Sequence, residues 1–167
     1  MKLLIIRHGP AGNPEEWEAQ GGDDRLRPLT PKGKKEVRKA AAGLRQLVPA
    51  LDLLATSPWI RAAETAQLVG TEYGCEVTEV EALTSEHAPE DLAPWLHQQR
   101  GKESLGLVGH EPHLGLLVGY LLRGESASFI ELKKGGACLV EIEDPSRAGS
   151  GILHWLLTDR ELRRLAE

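Results

Sequence analysis

The sequence predicts a three-layer α/β/α fold around a mostly parallel central sheet, with one antiparallel strand and no large helical cap. Three observations carry that expectation. Short, wholly apolar runs alternate with segments of helical periodicity, each bounded by a Gly or Pro. The apolar runs are unbroken, as strands covered on both faces require. The last two runs lie close enough in sequence to form a hairpin, which sets one strand against the rest. The 167 residues, 41% apolar and 27% charged, have ordinary globular composition and suit a single domain over 1–167.

Taken in order, Lys2 to Arg7 reads as the first strand, and a polar, Gly-rich stretch follows from Gly9 to Arg27. Thr30-Pro31 opens a helix, because Thr caps free N–H groups and Pro fits the first turn. Val37, Ala41, Leu44 and Val48 continue it at helical spacing, up to Pro49. Leu51 to Thr56 is the second strand, and Ser57-Pro58 opens a helix that Gly74 stops. Glu76 to Val80 reads as a third strand, and Pro89 to Arg100 as a helix. Leu105 to Gly109 is the next buried strand, and Glu111-Pro112 opens the helix bearing Leu116, Leu117 and Tyr120. Ala137 to Ile142 and Ile152 to Leu157 form the final pair of strands, before a capping box at Thr158-x-x-Glu161.

The alternation brings distant residues to one rim. Ligands of open α/β sheets bind at the carboxyl ends of the strands, and His8, Ser57, Arg61, Glu86 and His110 all follow strand ends. Arg7 and Arg61 offer planar, bidentate donors for phosphate oxygens. The two helix N-termini beside them favour an anion. Two histidines provide a nucleophile and a second donor. Each residue alone has a duller reading, as surface filler or a satisfied loop side chain; the joint placement describes a phosphoryl site. No Gly-x-Ser-x-Gly elbow or Walker-type loop is present.

Composition narrows the partners. A net charge of −5 gives no electrostatic support for nucleic acid. The apolar run Leu3 to Ile6 is too short to cross a membrane. Cys75 and Cys138 lack metal or disulfide spacing, so a cytoplasmic protein with reduced thiols is expected.

These residues also resemble a known family. Arg7-His8-Gly9 after an apolar strand, Ser57-Pro58-Trp59-Ile60-Arg61-Ala62-Ala63-Glu64-Thr65-Ala66, and Gly109-His110 are similar to the histidine phosphatase superfamily, which includes the cofactor-dependent phosphoglycerate mutases. Within it the chain most resembles the SixA-type phosphohistidine phosphatases, through Arg7-His8-Gly9-Pro10-Ala11, Arg27-Pro28-Leu29-Thr30 with Gly33, and His110-Glu111-Pro112-His113-Leu114-Gly115. The resemblance implies a phosphoglycerate mutase-like fold and a phosphohistidine intermediate on His8. It implies that Arg7, Arg61 and His110 hold the phosphoryl oxygens, with Arg27 as a further candidate, and that neither metal nor cofactor is required. Ester-cleaving members carry an acid in the loop after the third strand, where Glu86 is the nearest candidate here. SixA-type proteins lack a clear acid there, and the imidazole of phosphohistidine, with a pKa of about 6.5, leaves readily without one.

The expected substrate is therefore a phosphohistidine-bearing protein such as a phosphotransfer domain. The short stretch between Arg61 and His110 leaves little chain for a lid over the site. Trp17, Trp59 and Trp95 are candidates for its mouth or for packing. Three alternatives stay open: a phosphatase for small phosphate esters or nucleotides, a non-catalytic phospho-ligand binding module, and a metallo-phosphoesterase using His110, His113 and Asp23-Asp24. The last has no recognisable ligand spacing.

Overall fold

Leu3, Leu4, Ile5 and Ile6 are all essentially buried in the computed structural model, which describes residues 1–145 and 147–167. They lie in strand β1 (Lys2–Arg7), at the centre of a six-stranded sheet. An apolar residue at every position is needed because both faces of this strand are covered, and each such side chain contributes about 1.5–3 kcal/mol on burial. The other strands are β2 (Leu53–Thr56), β3 (Val77–Glu79), β4 (Ser104–Gly109), β5 (Ala137–Glu141) and β6 (Ile152–Leu157), in the order β3-β2-β4-β1-β5-β6. Pairings β3–β2, β2–β4 and β4–β1 are parallel. Strand β5 runs antiparallel to both β1 and β6, so it alone opposes the other five.

The helices are α1 (Pro14–Ala19), α2 (Pro31–Leu47), α3 (Ile60–Tyr73), α4 (Ala93–Gln98), α5 (His113–Arg123) and α6 (Asp159–Leu165). One core layer joins Val37, Ala41 and Leu44 of α2, Ala62, Ala66 and Val69 of α3, and Leu162 of α6 to Leu4 and Ile6. The opposite layer joins Leu96 of α4 and Leu114, Leu117, Val118 and Leu121 of α5 to Leu3 and Ile5. Alternate residues of β1 thus serve opposite layers, which is the period-two rule of a strand. The result is a three-layer α/β/α fold with a mostly parallel sheet and one opposing strand, as the sequence predicts.

Local chemistry sets the boundaries. Thr30 Oγ1 accepts the Gly33 N–H at 2.9 Å with Pro31 in the first turn, so α2 starts where expected. Gly74 ends α3 with φ of 65°, in the left-handed region that glycine tolerates. The capping box at Thr158 and Glu161 is formed.

The polar, Gly-rich stretch from Gly9 to Arg27 holds α1, capped by Asn13, and a 3-10 turn at Asp24–Leu26. Two expectations need correction. The helix expected over Pro89 to Arg100 is a 3-10 turn, Pro89–Leu92, followed by α4. Pro94 lacks the N–H that would reach back one turn, which interrupts the helical ladder there. Helices α3 and α5 start at Ile60 and His113, slightly later than Ser57-Pro58 and Glu111-Pro112 suggest. Among the described residues no helix is long and apolar enough to cross a membrane.

Candidate active site

The chain leaves β1 for strands on one side of it and leaves β4 for β5 on the other, so the switch in strand order falls between β1 and β4. His8 follows β1 and His110 follows β4. The backbone pins the first turn tightly: His8 N donates to Gly109 O and Gly135 N donates to His8 O, both at 3.0 Å. Gly9 N donates to Thr65 Oγ1 at 3.0 Å, and Thr65 Oγ1 donates to Arg61 O at 2.7 Å, which ties this turn to α3. A Cβ on Gly9 would lie 2.4 Å from Val37 Cγ2, and one on Gly33 would lie 2.1 Å from Pro10 O. Both glycines are needed for α2 to close against the loop that carries the histidine.

His8 is buried, with its Nδ1 2.8 Å from its neighbour's carbonyl, Gly9 O. A carbonyl only accepts, so Nδ1 carries the hydrogen and Nε2 keeps its lone pair. Arg61 Nε donates to that Nε2 at 3.3 Å. The His8 and His110 rings lie 5.2 Å apart, centroid to centroid. His110 Nε2 is 2.8 Å from Ser57 Oγ, which also accepts the Trp59 N–H at 3.2 Å. Trp59 lies 4.7 Å from the His110 ring and 5.0 Å from the Arg61 guanidinium carbon. Its ring therefore fixes both neighbours.

The arginines converge on the same place. Arg7 Nη1 donates to Leu132 O at 2.7 Å, and its buried Nε has no partner. Leu132 is itself held by Glu111, whose Oε1 accepts the Leu132 N–H at 2.9 Å. Arg27 is buried; its Nε donates to Asp24 Oδ1 at 2.8 Å and its Nη1 to Gly12 O at 2.6 Å. Arg61 donates through Nη1 to Asp24 O at 2.7 Å and through Nη2 to Asp24 Oδ2 at 3.0 Å. The structure thus gathers His8, Arg7, Arg61, His110 and Arg27. Glu86 is exposed in a turn and faces the charge of Arg25.

Electrostatics keep both rings neutral. Burial lowers the pKa of His8 to about 3, opposed by the Gly9 carbonyl and assisted by Arg61, Arg7 and Arg27. Burial, then the neighbouring His8, Arg61, His113 and Arg7, lower His110 to about 2. An unfolded histidine takes up its proton near pH 6.5, whereas these two refuse it until far lower pH. Their contribution to stability is therefore present above about pH 6.5 and is lost as pH falls below it. Between pH 7.5 and 5.5 the pair is expected to cost the fold about 3 kcal/mol, read as a lower urea midpoint. An unchanged midpoint would contradict the neutral assignment.

Asp24 as an arginine partner and Glu111 as a support for Arg7 become apparent in the structure's contacts. The Asp24-x-x-Arg27 spacing was the available signal for the first. Of the tryptophans, Trp59 is in the site and Trp95 packs against the core. Trp17 walls a groove of about 270 Å³ beside Arg27. His113 is buried on α5. Among the described residues no group of three or more His, Cys, Asp or Glu is arranged to hold a metal ion.

The chain is similar to known proteins along most of its length. Residues 3–88 match the family model described as the histidine phosphatase superfamily, branch 1. An uncharacterized protein of Picosynechococcus sp. is 32% identical over 139 residues, covering 81% of this chain and 82% of the relative. The protein histidine phosphatase SixA, solved with tungstate, superposes with a TM-score of 0.83 at 26% identity, over 97% of this chain and 99% of that one. A SixA from Agrobacterium tumefaciens described as a putative phosphohistidine phosphatase gives 0.76 at 20% identity, over 94% and 97%. At that identity the likeness shows the fold alone.

Proposed function

We propose that this chain, which belongs to the histidine phosphatase superfamily, branch 1, and is a phosphatase, acts through His8 on phosphohistidine carried by a protein. In this reading residues 1–167 work as one catalytic domain in the cytoplasm, where the free Cys75 and Cys138 stay reduced. His8 Nε2 attacks phosphorus in line. The N–P bond of the substrate breaks, the leaving imidazole takes a proton from solvent, and a phosphohistidine forms on His8. Water then attacks that phosphorus, inorganic phosphate departs, and the neutral His8 is restored.

The tautomer supports this role: Nδ1 is committed to Gly9 O, so the lone pair belongs to the reacting nitrogen. Arg7 Nε and His110 Nδ1 are buried polar atoms without partners, suited to phosphoryl oxygens. Together with Arg61 and Arg27 they supply positive charge of the kind that phosphoryl transfer requires. We therefore expect turnover to need no metal ion and to survive chelator.

The setting of the carboxylates carries the substrate choice. Glu86 is exposed beside Arg25. Asp24 does reach the arginines; partial burial acts to raise its pKa, but Arg27 and Arg61 more than reverse this and hold it below the usual carboxylate range. An ionised carboxylate is a poor proton donor. A leaving imidazole tolerates that, while an alkoxide does not. The test compares a phosphohistidine-bearing phosphotransfer protein with a panel of sugar phosphates and nucleotides. The protein substrate is expected to win by about 100-fold or more in kcat/KM, about what a missing acid costs an ester. Turnover of the esters alone would overturn the assignment.

A further inference from the structure

Among the described residues, Arg61 is the arginine that hydrogen-bonds the His8 ring, and its orientation is set from behind. A guanidinium is planar and rigid, so fixing one edge fixes the other. Asp24 takes that back edge twice, through its carbonyl to Nη1 at 2.7 Å and its Oδ2 to Nη2 at 3.0 Å. The opposite edge then presents Nε to His8 Nε2 at 3.3 Å. The other carboxylate oxygen of Asp24 holds Arg27 Nε at 2.8 Å. One half-exposed side chain therefore spans two buried arginines beside the nucleophile.

We propose that Asp24 is a positioning residue that aims Arg61 at His8 and supplies the counter-charge shared by Arg61 and Arg27. It does so from the 3-10 turn Asp24–Leu26. The proposal rests on the phosphoryl site described above and adds a residue to its control. Two effects of opposite sign follow from one carboxylate. Its geometry speeds transfer by holding Arg61 in place, because small misplacements near a reacting centre are costly. Its negative charge opposes the binding of a phosphate anion to the same arginines.

The test uses the full chain as wild type, Asp24→Asn and Asp23→Asn. The last removes an equal charge one residue away, where Asp23 is exposed and pairs with Arg25. In Asp24→Asn, turnover of phosphoramidate is expected to fall about tenfold to a hundredfold. Inorganic phosphate, measured by calorimetry, is expected to bind about two- to fivefold more tightly. The Arg61 Nε–H resonance, assigned with Arg61→Lys, is expected to broaden. Asp23→Asn should leave all three readings within about twofold of wild type.

Loss of turnover together with weaker phosphate binding would mark a purely structural role and overturn the proposal. So would unchanged readings in Asp24→Asn, or the same split in Asp23→Asn. If wild type fails to turn over phosphoramidate, the proposed function fails. The phosphate and resonance readings still decide the role of Asp24.

Discussion

His8→Ala is expected to abolish the phosphoenzyme and to lower kcat by on the order of 10⁵-fold, the scale seen when a covalent nucleophile is removed. The reason is geometric. His8 Nε2 is a lone pair on a neutral ring whose other nitrogen is tied to Gly9 O. Rapid quench after mixing with labelled substrate should trap an acid-labile, alkali-stable adduct in wild type and none in the variant. The same label on another residue in His8→Ala would remove His8 from its role. The turn at His8 is held by backbone bonds to Gly109 and Gly135 that alanine keeps, so the variant should fold.

The second large effect is expected at Arg61. Arg61→Ala should lower kcat about 10³-fold, in the range lost when an arginine that stabilises transferring phosphoryl charge is removed. Arg61→Lys should recover no more than about tenfold of that loss, since an ammonium cannot span the same contacts. Arg61 addresses Asp24 with two nitrogens, His8 with the third, and the face of Trp59 with its plane. Lysine reproduces the charge and none of this geometry. A lysine variant with near wild-type kcat would show that charge alone is what the position supplies. Thermal melting of both variants separates a loss of chemistry from a loss of fold.

Much of this arrangement was legible in the sequence because β1 and β4 are continuous apolar runs, and such runs fix where strands end. Once the ends of β1, β2 and β4 were placed, His8, Arg61 and His110 had to share a rim. Cap chemistry was equally readable at Thr30, Gly74 and Thr158. Helix α1 was missed because it has no buried residue, and so no apolar period to read. Its Asn13 cap and Pro14 were the local signals. The break at Pro94 was visible as a residue but was outweighed by the longer helical pattern around it. The support that Asp24 gives Arg61, and that Glu111 gives Arg7 through Leu132, was illegible for another reason. Their partners, Arg61 and Leu132, are remote in sequence, and only the folded chain brings them together.

The place of β1 at the centre of the sheet has a consequence for how the protein comes into being. This strand is synthesised before either of its neighbours. Lys2 pairs with Ser104 on one side and Glu141 on the other, and the Met1 ammonium bonds Ile142 O, 141 positions along the chain. Closing such long loops slows folding, because their entropy is lost before the contacts form. His8 is therefore made before β4 and β5, and gains its Gly109 and Gly135 anchors only when β4 and the approach to β5 have docked. On the role proposed for His8, activity is expected only once the sheet has closed around these anchors.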